Sequence, residues 1–136
     1  MHASAPASPL SPHDEAFFRQ HGYLVLPPLS ADDLATLSAL FDRDYKNHAY
    51  LWRPFGDQTI NCDALASSPG VDLAIRHPRI LPIITALMGG PTVFSEICLR
   101  HMRPHDGSPR QGWHRDRPHW LDHPLRLDYL QLMIYL

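Results

Sequence analysis

What most constrains this chain is the run Gly112-Trp113-His114-Arg115-Asp116-Arg117-Pro118-His119-Trp120, which lies between two β-prone apolar stretches. In extended backbone, alternate side chains share a face, so His114 and Asp116 project together while Arg115 points away. The flanking stretches are Val93 to Met102 and Leu127 to Leu136. Both are rich enough in branched and apolar residues to read as strands. A turn-rich segment, Pro104-His105-Asp106-Gly107-Ser108-Pro109, separates the first of them from the His114 run.

A neutral imidazole nitrogen and a carboxylate oxygen on one face supply two of the three protein ligands of a His-x-Asp…His facial triad. Such a site holds Fe(II) and leaves positions open for a co-substrate and oxygen. By count alone, a chain of 136 residues with 10 His and 12 Asp meets this spacing about once by chance, and here it occurs once. The plain alternative is a solvated His and Asp beside a turn. The lead-in turn, the Trp on either side and the apolar strands are what favour a site. His105, His119 and His123 lie close to the pair. They read most simply as surface histidines of a Pro-rich loop. A Zn²⁺-binding module using His114, Asp116 and His119 or His123 is the sharper alternative. Pro118 and Pro124 oppose a helical His119/His123 pair.

Composition narrows the class further. With 44% hydrophobic and 19% charged residues the chain is globular in character, and its length allows one small domain. A net charge of −2 gives no electrostatic case for nucleic acid or an anionic membrane as partner. Cys62 and Cys98 are far apart and in no metal or redox spacing, so no disulfide framework is expected and a reducing cytoplasm is the simpler location. The N-terminus has neither a basic n-region nor an apolar h-region. No apolar run approaches the roughly 20 residues that span a bilayer. A soluble cytoplasmic protein is expected.

The first ten residues are Ala/Ser/Pro-rich, and residues 1–13 are set apart as a flexible tail from a domain at 14–136. Ser11-Pro12 opens a short helix with Phe17 and Phe18 on its buried side, ended by Gly22. Tyr23 to Leu26 is a short β-prone run stopped by Pro27-Pro28. Ser30 caps a second helix with Asp33 three residues on, and Leu34, Leu37, Leu40 and Phe41 form its core stripe. Residues 47–69 are aperiodic and read as a functional loop. His77-Pro78 begins a helix whose apolar face is Ile80, Ile83, Ile84 and Leu87, ended by Gly89-Gly90. In the strand from Val93 to Met102, Ser95, Ile97, Leu99 and His101 share one face. The terminal strand offers an edge to a partner sheet or a second copy, which gives a third reading, a non-catalytic interaction protein.

Three features together resemble the phytanoyl-CoA dioxygenase family of Fe(II)/2-oxoglutarate-dependent oxygenases. They are Phe17-Phe18-Arg19-Gln20-His21-Gly22-Tyr23-Leu24-Val25-Leu26-Pro27 with the helix from Ser30, the stretch Arg100-His101-Met102-Arg103-Pro104 leading to Gly112–Asp116, and the strand Tyr129 to Leu136. The resemblance runs from about Asp14 to Leu136. It implies an α+β fold with a mainly β core, an incomplete double-stranded β-helix (a cupin-like jelly roll) with N-terminal helices packed on it. It implies that His114 and Asp116 bind iron and are catalytic, with 2-oxoglutarate as co-substrate and hydroxylation of a small-molecule substrate as the reaction. By the same analogy Leu99 and His101 line the 2-oxoglutarate pocket. Met133 falls where relatives place a Trp beside it, and Trp120 resembles an aromatic wall near the metal. The family's distal His and its 2-oxoglutarate-binding Arg have no counterpart in these residues. The chain is therefore expected to be the N-terminal part of such a domain, with little activity alone, and to take a complementing C-terminal half or a second copy as partner.

Overall fold

A computed structural model of the chain describes residues 9–104 and 129–136. The Ala/Ser/Pro tail up to residue 8 and the whole segment 105–128, with His114, Asp116 and Trp120, lie outside the described residues.

Two helices open the fold, and local chemistry sets their ends. Helix α1 (Pro12–His21) has Ser11 as N-cap, its hydroxyl accepting from Asp14 N at 3.1 Å, and Pro12 at a position that needs no N–H. Gly22 ends it at φ 78°, a left-handed conformation that a side chain would strain. Phe17 and Phe18 are half-buried, and Phe17 rests its ring against His21 and Tyr23. Helix α2 (Ala31–Asn47) starts from Ser30, whose hydroxyl accepts from Asp33 N at 3.1 Å and donates to the Asp33 carboxylate at 2.5 Å. Its stripe buries Leu37 and Leu40 as the spacing predicts, and one turn further on it also buries Asp44.

The segment read as an aperiodic loop is built quite differently. After a single 3-10 turn at Ala49–Leu51 it forms a β-hairpin, strands β1 (Arg53–Phe55) and β2 (Gln58–Asn61), closed by Gly56 at φ 58° and Asp57. A two-residue hairpin needs the positive φ that Gly56 supplies. Short helices α3 (Ala64–Ser67) and α4 (Asp72–Ile75), joined by a 3-10 turn at Pro69–Val71, lead to α5 (Ile80–Met88). That helix buries Ile80 and Ile83 and stops at Gly89, φ 75°, as its sequence predicts.

Strand β3 (Leu99–Met102) completes a three-stranded antiparallel sheet in the order β1-β2-β3. The register sets Gln58 opposite Met102, Thr59 opposite His101 and Asn61 opposite Leu99. Three strand expectations change. Of the strand expected over Val93–Met102, the last four residues form β3, and among the described residues 93–98 are not assigned to a sheet. Among the described residues, Tyr23–Leu26 and residues 129–136 of the expected terminal strand are not assigned to a sheet. A short apolar run has strand propensity but acquires a ladder only when a partner is placed beside it.

The core is Leu37, Leu40 and Ala74, joined by the partly buried Leu29, Leu73, Ile97 and Ile134. Ile97 and Ile134 thus anchor their two segments to this core. Gly70 lies where a Cβ would come within 2.9 Å of Leu40 Cδ2, so the 3-10 turn reaches the core only because it carries no side chain there. Among the described residues the fold is mixed helix and sheet, with helix outweighing strand, and no helix is long and apolar enough to cross a membrane.

Candidate functional site

Strand β3 carries the two co-substrate residues expected from the sequence. Leu99 is half-buried and His101 exposed, and as alternate residues they share a face. The His101 ring packs, tilted by about 40°, against an aromatic wall. Its ring centroid is 4.8 Å from Tyr45 and 6.4 Å from Phe41, both on α2. Phe41 and Tyr45, four residues apart, lie nearly parallel at 6.2 Å. Trp52 meets both edge-on, 5.4 Å from Phe41 and 4.7 Å from Tyr45. Such edge-to-face pairs are worth roughly 0.5–1.5 kcal/mol beyond the area they bury.

Trp52 is itself fixed by Asp44, whose side chain is fully buried. Trp52 Nε1 donates to Asp44 Oδ1 at 2.9 Å, and Asn61 Nδ2 donates to the same oxygen at 2.8 Å. Ser67 Oγ at 2.5 Å and Ser68 Oγ at 2.8 Å donate to Oδ2, with His48 Nδ1 3.2 Å away. Burial pushes the Asp44 carboxyl upward, but the hydrogen bonds from Ser67, Ser68, Asn61 and Trp52 outweigh it and hold the group below its ordinary value. A carboxylate this saturated has no lone pair to offer a substrate. Its task is positional, tying α2 to the end of β2, to α3 and to the aromatic wall.

A second polar network supports the other end of α2. His77, buried, places Nε2 3.2 Å from Asp33 Oδ2, while its Nδ1 accepts from Arg79 N at 3.2 Å. The proton of the neutral ring is therefore assigned to Nε2, which donates to the carboxylate. The Ser30 hydroxyl, then His77, hold Asp33 below its ordinary value. The Arg79 guanidinium donates to the carbonyls of Pro27 and Pro28, fastening the Pro-Pro turn to the start of α5.

Of the other expected site residues, Met133 is exposed, and its sulfur accepts from Tyr135 Oη at 3.6 Å. His114, Asp116 and Trp120, with the alternative ligands His105, His119 and His123, fall outside the described residues. Among the described residues no group of three or more His, Cys, Asp or Glu side chains could hold a metal ion. Two features escape a reading by spacing. One is the Asp44 hub, whose only sequence signal is an acidic residue four positions after Leu40 on the buried stripe. The other is the pair Cys62 and Cys98, with sulfurs 3.0 Å apart.

A model of the family described as phytanoyl-CoA dioxygenase (PhyH) matches residues 18–136. No curated protein and no solved structure matches the chain. The matched span takes in α2, the Asp44 hub, the three-stranded sheet with His101, the His114-Arg115-Asp116 run and the C-terminal segment that docks Ile134. It covers most of the 136 residues, in one continuous stretch and with the sequence features in their expected order. On that ground the chain belongs to the phytanoyl-CoA dioxygenase family.

Proposed function

We propose that the chain contributes the first half of an Fe(II)/2-oxoglutarate-dependent dioxygenase site, with His114 and Asp116 as two of three iron ligands. The observation that carries this reading is that the family match runs through the chain's one His-x-Asp sequence. The donor set suits the metal: an imidazole nitrogen and a carboxylate oxygen bind Fe(II) and leave coordination positions open. Iron bound there supplies the activation of oxygen that couples decarboxylation of 2-oxoglutarate to hydroxylation of a C–H bond.

The chain's own residues do the remaining work. Leu99 and His101 are proposed to face the co-substrate, with Met133 beside it and Trp120 excluding water from the metal side. The aromatic wall against His101, locked through Trp52 to Asp44, holds β3 in place beforehand, so that binding the co-substrate costs less in ordering. The three-stranded sheet is read as part of a jelly roll whose remaining strands would include the His114 run.

The family's distal His and co-substrate Arg have no match among these residues. Two ligands bind iron less tightly than three, and a co-substrate carboxylate without its Arg is poorly compensated when buried. The proposed partner is thus a segment supplying both groups, and the substrate is a small molecule. Succinate release from 2-oxoglutarate tests this. The 136-residue chain alone should show background turnover, and addition of a segment carrying the missing His and Arg should raise it. Turnover by the chain alone that persists in His114→Ala would refute the assignment.

A further inference from the structure

Strands β2 and β3 pair in a register that steps from Gln58/Met102 to Asn61/Leu99. Cys62 and Cys98 adjoin the last pair of that ladder, one residue after Asn61 and one before Leu99. The two sulfurs are 3.0 Å apart, so bond formation asks them to close by only about 1 Å. Both thiols are free. The separation of 36 residues hides this pairing from any reading by spacing.

The two cysteines differ in access. Cys62 is exposed and lines two open clefts of about 270 Å³ each, one bounded by Phe94 and Glu96 and the other by Leu51 and Arg53. Cys98 is half-buried and donates its S–H to Cys62. Burial, then the hydrogen bond and charge of Cys62 and the charge of Glu96, push the Cys98 thiol up to about 12, against a smaller opposing pull from Arg100. The more exposed sulfur, that of Cys62, is the one an oxidant in solution reaches first.

We propose that Cys62 and Cys98 are a thiol pair that small-molecule disulfides oxidise to an intramolecular disulfide, with Cys62 attacking and Cys98 resolving. In the first step the Cys62 thiolate attacks one sulfur of an oxidant RS–SR. A Cys62–SR bond forms, the RS–SR bond breaks, and RS⁻ leaves and takes a proton from solvent. Cys62 then carries no negative charge, which removes one of the influences holding the proton on Cys98. Cys98 loses that proton to solvent and attacks Cys62 Sγ, expelling the second RS⁻, which is protonated in turn. Two electrons pass from the cysteine pair to RS–SR, giving one protein disulfide and two RSH. The crosslink fastens β3 to β2 immediately before Leu99 and His101.

The test uses the full 136-residue chain, reduced and then exposed to oxidised glutathione, with intact-mass measurement and peptide mapping under non-reducing conditions. The wild-type chain should lose the mass of two hydrogens and yield a peptide linked through Cys62 and Cys98. Cys98→Ser should accumulate one glutathione on Cys62, and Cys62→Ser should react at Cys98 at least about tenfold more slowly, because that thiol is less exposed. A wild-type chain that carries glutathione on both cysteines, or that links only to other chains, would overturn the pairing. Equal reaction rates of the two single variants would overturn the order of attack.

Discussion

Asp44 is the side chain on which the described structure most depends. Its oxygens collect donors from Trp52, Asn61, Ser67 and Ser68, residues 8 to 24 positions further along the chain. Asp44→Asn removes the charge and turns an amide N–H₂ toward groups that are themselves donors. We expect it to destabilise the fold by roughly 3 kcal/mol or more, seen as a lower urea midpoint with little change in slope. The group also links stability to pH. Its carboxyl titrates below the ordinary 3.8 when folded, so the stability it confers is complete above about pH 4 and is lost as pH falls through the depressed folded value. Asp14 and Asp33, lowered first by Ser11 and Ser30 respectively, act with the same sign. Acid unfolding monitored by circular dichroism should therefore steepen below about pH 4 in the wild-type chain and be shallower in Asp44→Asn.

Elements whose limits are set within a few residues were legible from sequence. Ser11, Ser30, Gly22 and Gly89 fix helix ends by contacts no more than four residues away, and the chain's order alone supplies those. The hairpin at residues 53–61 was not legible, because Arg53-Pro54-Phe55 and Gln58–Asn61 are short and lack alternation, and β2 gains its second partner only from β3, some forty residues later. Residues 93–98 differ the other way, with strand propensity but no sheet assignment among the described residues. The joint between α2 and the turn at Pro69–Val71 is a local test of packing. Gly70→Ala would push a methyl group against Leu40 in the core, and we expect a loss of about 1–3 kcal/mol, measurable as a lower thermal midpoint. The Cys62–Cys98 pair offers the opposite sign. Closing a link across 36 residues constrains the unfolded chain by roughly 4 kcal/mol in the chain-entropy picture, so the oxidised form should melt higher and return to the original midpoint on reduction.

For the whole molecule, family membership and a mixed helix–sheet fold agree with the sequence, because the family's motifs are local words in a fixed order. The site itself was only partly legible. His101 and Leu99 do share a face of a strand, but the wall of Phe41, Tyr45 and Trp52 that positions His101 comes from elements 49 to 60 residues earlier and has no local signature. The His114-Arg115-Asp116 run remains the chemical centre of the proposal, and metal affinity reads it without depending on a completed active site. Anaerobic Fe(II) titration by calorimetry, on the wild-type chain and on His114→Ala and Asp116→Ala, is the most direct measurement. Weak one-to-one binding that falls at least about tenfold in each variant is the predicted result. Wild-type affinity retained in either variant, or no binding by the wild-type chain, would contradict it.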